Sequence, residues 1–140
     1  MDFHGILPLG KNATIQKAVQ RSDTAANYSE HLNELMSTPA WVDMAIRASI
    51  EAVDKHLPNG YITVGHSLQV THEAPTFLGM VVHVKATLAA IDGNRLWFDI
   101  VSWDEVGEIG RGRHERVIVS RDGLLKKAKE RRRFLVERNL

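Results

Sequence analysis

One long amphipathic helix constrains what the rest of this sequence can form. Thr38 is a preferred helix-capping residue, and Pro39 suits the first helical position because its missing N–H is no loss there. Small and apolar residues then recur at helical spacing up to Pro58-Asn59-Gly60: Val42, Ala45, Ile46, Ser49, Ile50, Val53 and Leu57. The sequence therefore predicts one helix of about five turns, from Ser37 to Leu57, whose N-terminus offers free N–H groups and positive potential.

Alternating residues on both sides of this helix predict strands. Before it, residues 11–21 alternate, whereas 1–10 are expected to form a loosely held arm and 22–37 an irregular segment with room for a short helix. After it, strands are predicted at 61–72, 80–90, 96–103 and 109–120, with Asp92-Gly93-Asn94 as a tight hairpin turn. On the strand 61–72, Ile62, Val64, His66, Leu68, Val70 and His72 are expected to share one face.

The order of these elements predicts an α+β fold. A helix packed across an antiparallel sheet is the arrangement of the hot-dog fold, in which a curled sheet wraps around one long central helix. Residues 121–140 are predicted to add a basic C-terminal helix outside this unit. With 140 residues, the chain has the size of a single domain, 1–140.

Composition narrows the classes of function. There is no cysteine, which excludes disulfides, thiolate catalysis and a zinc–thiolate site, and is typical of a cytoplasmic protein. The net charge of +1 argues against nucleic acid or an acidic membrane surface as the general partner, although Arg131-Arg132-Arg133 forms a basic run. No apolar run has the length of a membrane span or a signal peptide, and no His or carboxylate spacing matches a metal site.

Three side chains combine chemical reactivity with an apolar setting. Thr38 and Asp43 lie in the first turns of the helix, and His72 ends a strand face that is otherwise apolar. Each also has a purely structural interpretation: Thr38 caps the helix, Asp43 balances its dipole, and His72 is a hydrogen-bonded core residue. Catalysis at these positions therefore depends on whether the fold brings them together.

Several short motifs in a fixed order resemble the hot-dog acyl-CoA thioesterases of the fluoroacetyl-CoA thioesterase type. They lie between about Lys11 and Val119, and the basic tail from Arg121 is outside them. The motifs are Ser37-Thr38-Pro39-Ala40, Val64-Gly65, Val70-Thr71-His72 with Ala74 and Thr76, Gly79, Asp92-Gly93, and Glu108-Ile109-Gly110 with Gly112 and His114-Glu115-Arg116-Val117.

This resemblance implies hydrolysis of a small acyl-CoA at sites where two subunits meet, in a homodimer or a tetramer. It implies no separate cofactor, because coenzyme A is part of the substrate. The family's catalytic threonine and histidine fall on Thr38 and His72. The resemblance and the surrounding sequence suggest five substrate-binding positions: Gly65, Trp41, Ile46, Phe77 and Arg116.

The sequence departs from the family at one catalytic position, because the family's glutamate falls on Ile46. Isoleucine can neither activate water nor attack a carbonyl. Three alternatives follow: Asp43 supplies the carboxylate, His72 acts as the general base with Thr38 orienting the reactants, or the protein binds an acyl thioester without hydrolysing it. A hot-dog dehydratase or hydratase is a weaker alternative, since its characteristic helix residues are absent.

Overall fold

The computed structural model describes residues 3–138, which form one five-stranded antiparallel sheet and two α-helices. The strands are β1 (Asn12–Ala18), β2 (Tyr61–His72), β3 (Val81–Asp92), β4 (Arg95–Trp103) and β5 (Glu108–Ser120). The helices are α1 (Thr38–Val53) and α2 (Arg121–Arg138). The strand order is β1-β3-β4-β5-β2, so β1 and β2 are the two edges of the sheet.

Helix α1 packs on one face of this sheet, mainly against β1 and β3. Its N-cap is Ser37, whose hydroxyl accepts a hydrogen bond from Ala40 N at 3.1 Å, so the prediction that Thr38 caps the helix is wrong. Pro39 is accordingly the second helical residue. The helix also ends at Val53 and passes into a short 3-10 turn, rather than continuing to Leu57.

The buried face of α1 is rotated from the predicted stripe. The core-facing residues are Trp41, Met44, Ala45, Ala48, Ser49, Ala52 and Val53. Val42 and Ile46 are only half-buried and Ile50 is 37% exposed, so they form a shoulder beside the buried face. The prediction assigned the large aliphatic residues to the buried face. In the structure three alanines lie on that face, where small side chains allow the helix to pack closely against the sheet.

Strand β2 contains a β-bulge that the alternation did not predict. The register against β5 shifts between Gly65, which pairs with Arg116, and Ser67, which pairs with Glu115. A bulge exchanges the faces of the residues that follow it. Thr63 therefore lies on the same side of the sheet as His72, and the prediction that Ile62, Val64 and His72 share one face is wrong.

The N-terminal segment is held in place rather than loose. Phe3 is 3% exposed and Leu7 is 1% exposed, and the Phe3 ring packs edge-on against Tyr61 at 5.8 Å. The expectation of a loosely held arm is therefore wrong for the part around Phe3 and Leu7, because these two apolar side chains cover one end of the core. Met1 and Asp2 lie outside the described residues.

Most other elements match the predictions. The 22–37 segment contains three single 3-10 turns, and Gly93, with φ of 60°, lies in the two-residue turn between β3 and β4. Helix α2 extends directly from β5, and its last predicted residues, 139 and 140, lie outside the described part of the chain. No helix within residues 3–138 has both the length and the apolar character needed to cross a bilayer.

Gly110 is a position where close packing requires glycine. A Cβ there would lie 2.6 Å from Thr71 O and 3.2 Å from the Trp41 ring. We expect Gly110→Ala to lower the free energy of unfolding by about 1–3 kcal/mol, because the backbone of β2 must move to make room. Urea unfolding measures this change.

Gly123→Ala is the matched control for that substitution. Its added Cβ would meet only Ser120 side-chain atoms at 3.5 Å, an ordinary contact, and alanine is the better helix former. We therefore expect the control to be neutral or stabilising. Equal effects at positions 110 and 123 would contradict the packing explanation.

Candidate active site

The structure brings Thr38 and His72 into direct contact. Thr38 Oγ1 lies 2.8 Å from His72 Nδ1, across 34 positions of sequence. Because Ser37 takes over the capping role, the Thr38 hydroxyl is free to make this bond. The pair joins the first turn of α1 to the last residue of β2.

The His72 ring is fixed by Trp41 beneath it. The two rings are stacked with centroids 5.5 Å apart and planes 30° apart. Trp41 is fully buried and supports the imidazole, so its role of contacting substrate stays a prediction that this burial does not favour. Gly110 leaves room for the indole, which explains one of the two glycines in this part of β5.

Burial controls the protonation of His72. Desolvation lowers the pKa of His72 below its ordinary value of 6.5, and hydrogen bonding to the backbone of Ala74 raises this pKa by a smaller amount. Nε2 is buried and has no hydrogen bond of normal distance and angle within residues 3–138. Nδ1 lies 2.8 Å from the Thr38 hydroxyl oxygen. The ring is therefore neutral near pH 7, and Nδ1 is the nitrogen placed for proton exchange.

A mostly apolar crevice of about 310 Å³ opens beside this pair. Its wall combines Thr38 and His72 with residues from the irregular segment before α1 and from the end of β2. These residues are Ala25, Leu32, Leu35, Met36, Ser37, Glu73, Ala74 and Pro75. The bridge Thr24–Met36 joins the two ends of that irregular segment, and the bridge Leu35–Phe77 ties it to the loop after β2. Sequence reasoning missed Ala25, Leu32, Leu35 and Met36 as lining residues, because the segment that contains them has no periodicity.

Asp43 is not brought to the crevice. Its side chain is 58% exposed, and Oδ2 accepts a hydrogen bond from Arg47 Nε at 2.7 Å. Asp43 therefore lies on the solvent face of α1 rather than at the border of the buried stripe, and it is absent from the crevice wall. Its role as a substitute carboxylate stays a prediction that this position does not favour.

The other predicted binding residues are dispersed. Ile46 lies on the shoulder of α1, two turns after Thr38, and Phe77 is 49% exposed outside the crevice wall. Gly65 is exposed in the bulge of the free edge strand β2. Arg116 is only 4% exposed in the single chain, so its role as a substrate contact stays a prediction that this burial does not favour.

Arg116 belongs to a buried polar network under the bulge. Its Nε donates to Thr63 Oγ1 at 2.8 Å, Nη2 to Thr63 O at 2.9 Å, and Nη1 to His114 Nε2 at 3.1 Å. The Thr63 hydroxyl and N–H in turn donate to the Asp54 carboxylate. The network satisfies a buried guanidinium through Thr63, with Asp54 as the nearby negative charge.

His114 connects this network to the bulge itself. Its Nδ1 donates to Ser67 O at 2.9 Å, and its Nε2 accepts from Arg116, so the ring is neutral. Burial lowers the pKa of His114 below 6.5, and the nearby Arg116 charge lowers it further, against the opposing bond to Ser67 O. A Cβ on Gly65 would lie 3.5 Å from the His114 ring, so the bulge rests directly on this histidine.

The lowered pKa values of His72 and His114 make stability depend on pH. Between the pKa of each folded ring and about 6.5, the unfolded chain binds more protons than the folded chain. The free energy of unfolding therefore rises with pH in this range. The stability that these two neutral rings contribute is lost as the pH falls through their folded pKa values. We expect the urea midpoint to fall from about pH 7 to about pH 5, above the range where carboxylates titrate.

The matched variants for this pH effect are His114→Gln and His31→Gln. The first should lower stability at neutral pH and flatten its pH dependence, because it removes one buried titrating ring. The second changes an exposed histidine and should leave the curve unchanged. A urea midpoint that stays constant or rises on acidification would contradict the expectation.

Comparison with known proteins places this geometry in a family. Residues 19–122 match the family model described as fluoroacetyl-CoA-specific thioesterase, FlK. The chain belongs to that family. The matched range contains both members of the Thr38–His72 pair, the bulge in β2 and the buried network beneath it.

Individual relatives agree with this assignment. The chain is 35% identical over 86 residues to the fluoroacetyl-CoA thioesterase of Streptantibioticus cattleyicolor, a match that spans 61% of this chain and 62% of that relative's length. A hot-dog-like protein from Thermanaerovibrio acidaminovorans superposes with a TM-score of 0.89 at 37% identity, over 94% of this chain and 97% of the other.

A third relative was solved with a ligand. A variant of the fluoroacetyl-CoA thioesterase in complex with acetyl-CoA superposes with a TM-score of 0.81 at 27% identity, over 88% of this chain and 97% of the other. These structures confirm the predicted hot-dog fold. The motifs in the sequence belong to a family of thioesterases.

Proposed function

We propose that this protein is a thioesterase that hydrolyses a small acyl-CoA. The observation that carries the proposal is the 2.8 Å contact between Thr38 Oγ1 and His72 Nδ1 beside the crevice, in a chain of this family. A neutral, partly buried imidazole hydrogen-bonded to a hydroxyl is suited to proton transfer near pH 7. The named relatives act on fluoroacetyl-CoA or bind acetyl-CoA, so a short acyl group is the first expectation.

The reaction needs one water molecule and one exchangeable proton. Water bonded to the Thr38 hydroxyl attacks the thioester carbonyl carbon, and its proton passes through that hydroxyl to His72 Nδ1. The C–S bond then breaks, the thiolate takes the proton from His72, and a carboxylic acid and free coenzyme A result. No separate cofactor takes part in this scheme.

Stabilisation of the oxyanion is assigned to backbone N–H groups. The bulge around Gly65 lies on a free sheet edge, and glycine allows a ligand to approach the backbone closely. In a homodimer joined through β2, we expect the backbone around Gly65 of the partner subunit to supply the N–H groups that stabilise the oxyanion. A cytoplasmic location follows from the lack of cysteine only as an expectation.

Ile46 favours a second candidate function, the binding of an acyl thioester without hydrolysis. The helix shoulder that holds the family's carboxylate has an aliphatic side chain here. Without that carboxylate, His72 and Thr38 must supply the whole of acid–base catalysis. The rate of hydrolysis therefore separates the two functions.

The test measures thiol release from acetyl-, fluoroacetyl-, propionyl- and butyryl-CoA by the wild-type protein. Calorimetric titration with the same esters measures binding independently of turnover. Release that is linear in enzyme concentration and abolished in His72→Ala supports the thioesterase. Binding of the esters with no release above the His72→Ala background supports the binding protein.

A further inference from the structure

Helix α2 is a basic element with no buried residue in its described length. Its eight basic and three acidic side chains give residues 121–138 a net charge of +5, whereas the whole chain carries +1. The remainder of the chain is therefore at −4. Most helical stability in proteins comes from packing against other elements, and α2 buries none of its described residues, so an oppositely charged partner would stabilise it.

The start of α2 is fixed beside the free edge of the sheet. Ser120 is the last residue of β5 and pairs with Tyr61, the first residue of the edge strand β2. Arg121 N donates to Gly60 O at 2.9 Å, and the Ser120 hydroxyl accepts from Gly123 N at 3.2 Å. Helix α2 therefore begins at the end of β2 that is opposite His72.

Two-fold pairing through β2 would bring α2 to the site of the other subunit. In a symmetric antiparallel pair the start of one strand lies next to the end of its copy. The midpoint of β2 falls near His66 and Ser67, so Tyr61 of one chain would approach the partner's His72. The base of α2 would then lie close to the partner's Thr38–His72 pair.

We propose that α2 of each subunit forms the phosphate-binding surface for coenzyme A held in the partner's active site. The inference rests on the proposed function and adds a binding site that is completed by the second copy. The thioester of an acyl-CoA is separated from its phosphates by a long flexible arm, so the phosphates need a positive surface away from the reacting carbon. Lys126, Lys127 and Lys129 lie on the exposed first half of α2 and suit phosphate oxygens.

The first experiment removes three of these charges and compares two substrates. The variant Lys126→Gln/Lys127→Gln/Lys129→Gln should raise KM for an acyl-CoA by about tenfold at low salt, with kcat nearly unchanged. The same acyl group on N-acetylcysteamine carries no phosphate, and its KM should not change. An unchanged KM for the acyl-CoA would overturn the inference, because α2 would then not bind the phosphates of coenzyme A.

The matched control removes the same number of charges elsewhere. The control variant is Arg21→Gln/Lys55→Gln/Arg113→Gln, at three exposed positions outside α2. It lowers the net charge equally, so a general electrostatic effect would raise KM in both variants. An equal rise in both would overturn the assignment to α2.

A mixed dimer tests whether the helix acts on the partner. One chain carries His72→Ala with an intact α2, and the other carries the three α2 substitutions with an intact His72. Action on the partner predicts that the purified mixed dimer has wild-type KM at its one working site. A raised KM like that of the α2 variant would overturn the two-fold arrangement.

Failure of the proposed function has a different signature. A wild-type protein that hydrolyses neither the acyl-CoA nor the N-acetylcysteamine ester is not a thioesterase for that acyl group. The α2 inference is then tested by calorimetric titration with coenzyme A itself. Weaker binding in the α2 variant than in the control supports it, and equal binding overturns it.

Discussion

Replacing His72 by alanine will lower kcat/KM for acyl-CoA hydrolysis by about 10²–10⁴-fold, the range of a lost general base. The expectation follows from the neutral ring, its Nδ1 contact to Thr38 and its position at the crevice. Thiol-release kinetics on the purified variant measure the change, and circular dichroism checks that the fold is kept.

His83→Ala is the matched control for this substitution. His83 also stacks on a tryptophan, Trp103, with centroids 5.3 Å apart, and it also has one buried ring nitrogen without a partner in the described part of the chain. It differs from His72 in bonding Gln16 rather than a threonine and in lying outside the crevice wall. A loss of activity in His83→Ala as large as in His72→Ala would contradict the assignment.

The Thr38–His72 bond predicts strong non-additivity. Thr38→Val should lose most of the activity that His72→Ala loses, and the double variant should be little worse than either one. Thr38→Ser keeps the hydroxyl and should retain much of the rate. Fully additive losses in the double variant would show that the two side chains act independently.

Restoring the family's carboxylate with Ile46→Glu will raise kcat/KM by about 10²-fold if the remaining site is competent. Position 46 lies two turns after Thr38 on the half-buried shoulder of α1, where a carboxylate remains partly solvated. Its negative charge would also stabilise a protonated His72. Thiol release from the same acyl-CoA panel measures the gain.

Ile50→Glu is the control for this gain, since it places the same charge one turn further along the same shoulder. It should leave the rate within a few-fold of wild type. Asp43→Asn adds a second comparison: an unchanged rate would show that this exposed carboxylate does not replace the missing glutamate. A failure of Ile46→Glu to exceed Ile50→Glu would contradict the expected role of position 46.

The loss of a carboxylate at position 46 has a physical consequence for the site. The flank of α1 from Val42 to Ile50 is apolar, and it starts one turn after Thr38. We expect an acyl group that extends from the Thr38–His72 pair towards this flank to meet aliphatic side chains, and the crevice wall adds the carboxylate of Glu73. This favours small apolar acyl groups over acids with a second carboxylate.

The sequence by itself determined the order of the elements, the hot-dog fold and the two residues that meet at the site. Its periodicities are local properties of the chain, and the order of its motifs carries the resemblance to the family. Thr38 and His72 could be selected because each combined a reactive group with an apolar pattern, although capping and core packing explained them equally well.

Only the tertiary structure decided the details that give these residues their roles. The cap at Ser37, the rotation of the helix face, the bulge at Gly65 and the burial of Trp41 and Arg116 all depend on contacts between distant segments. The physical reason is that side-chain alternation no longer tells which face of the sheet a residue is on once a bulge has shifted the strand by one residue. Burial likewise depends on which neighbour packs above a residue, and local sequence does not encode that neighbour.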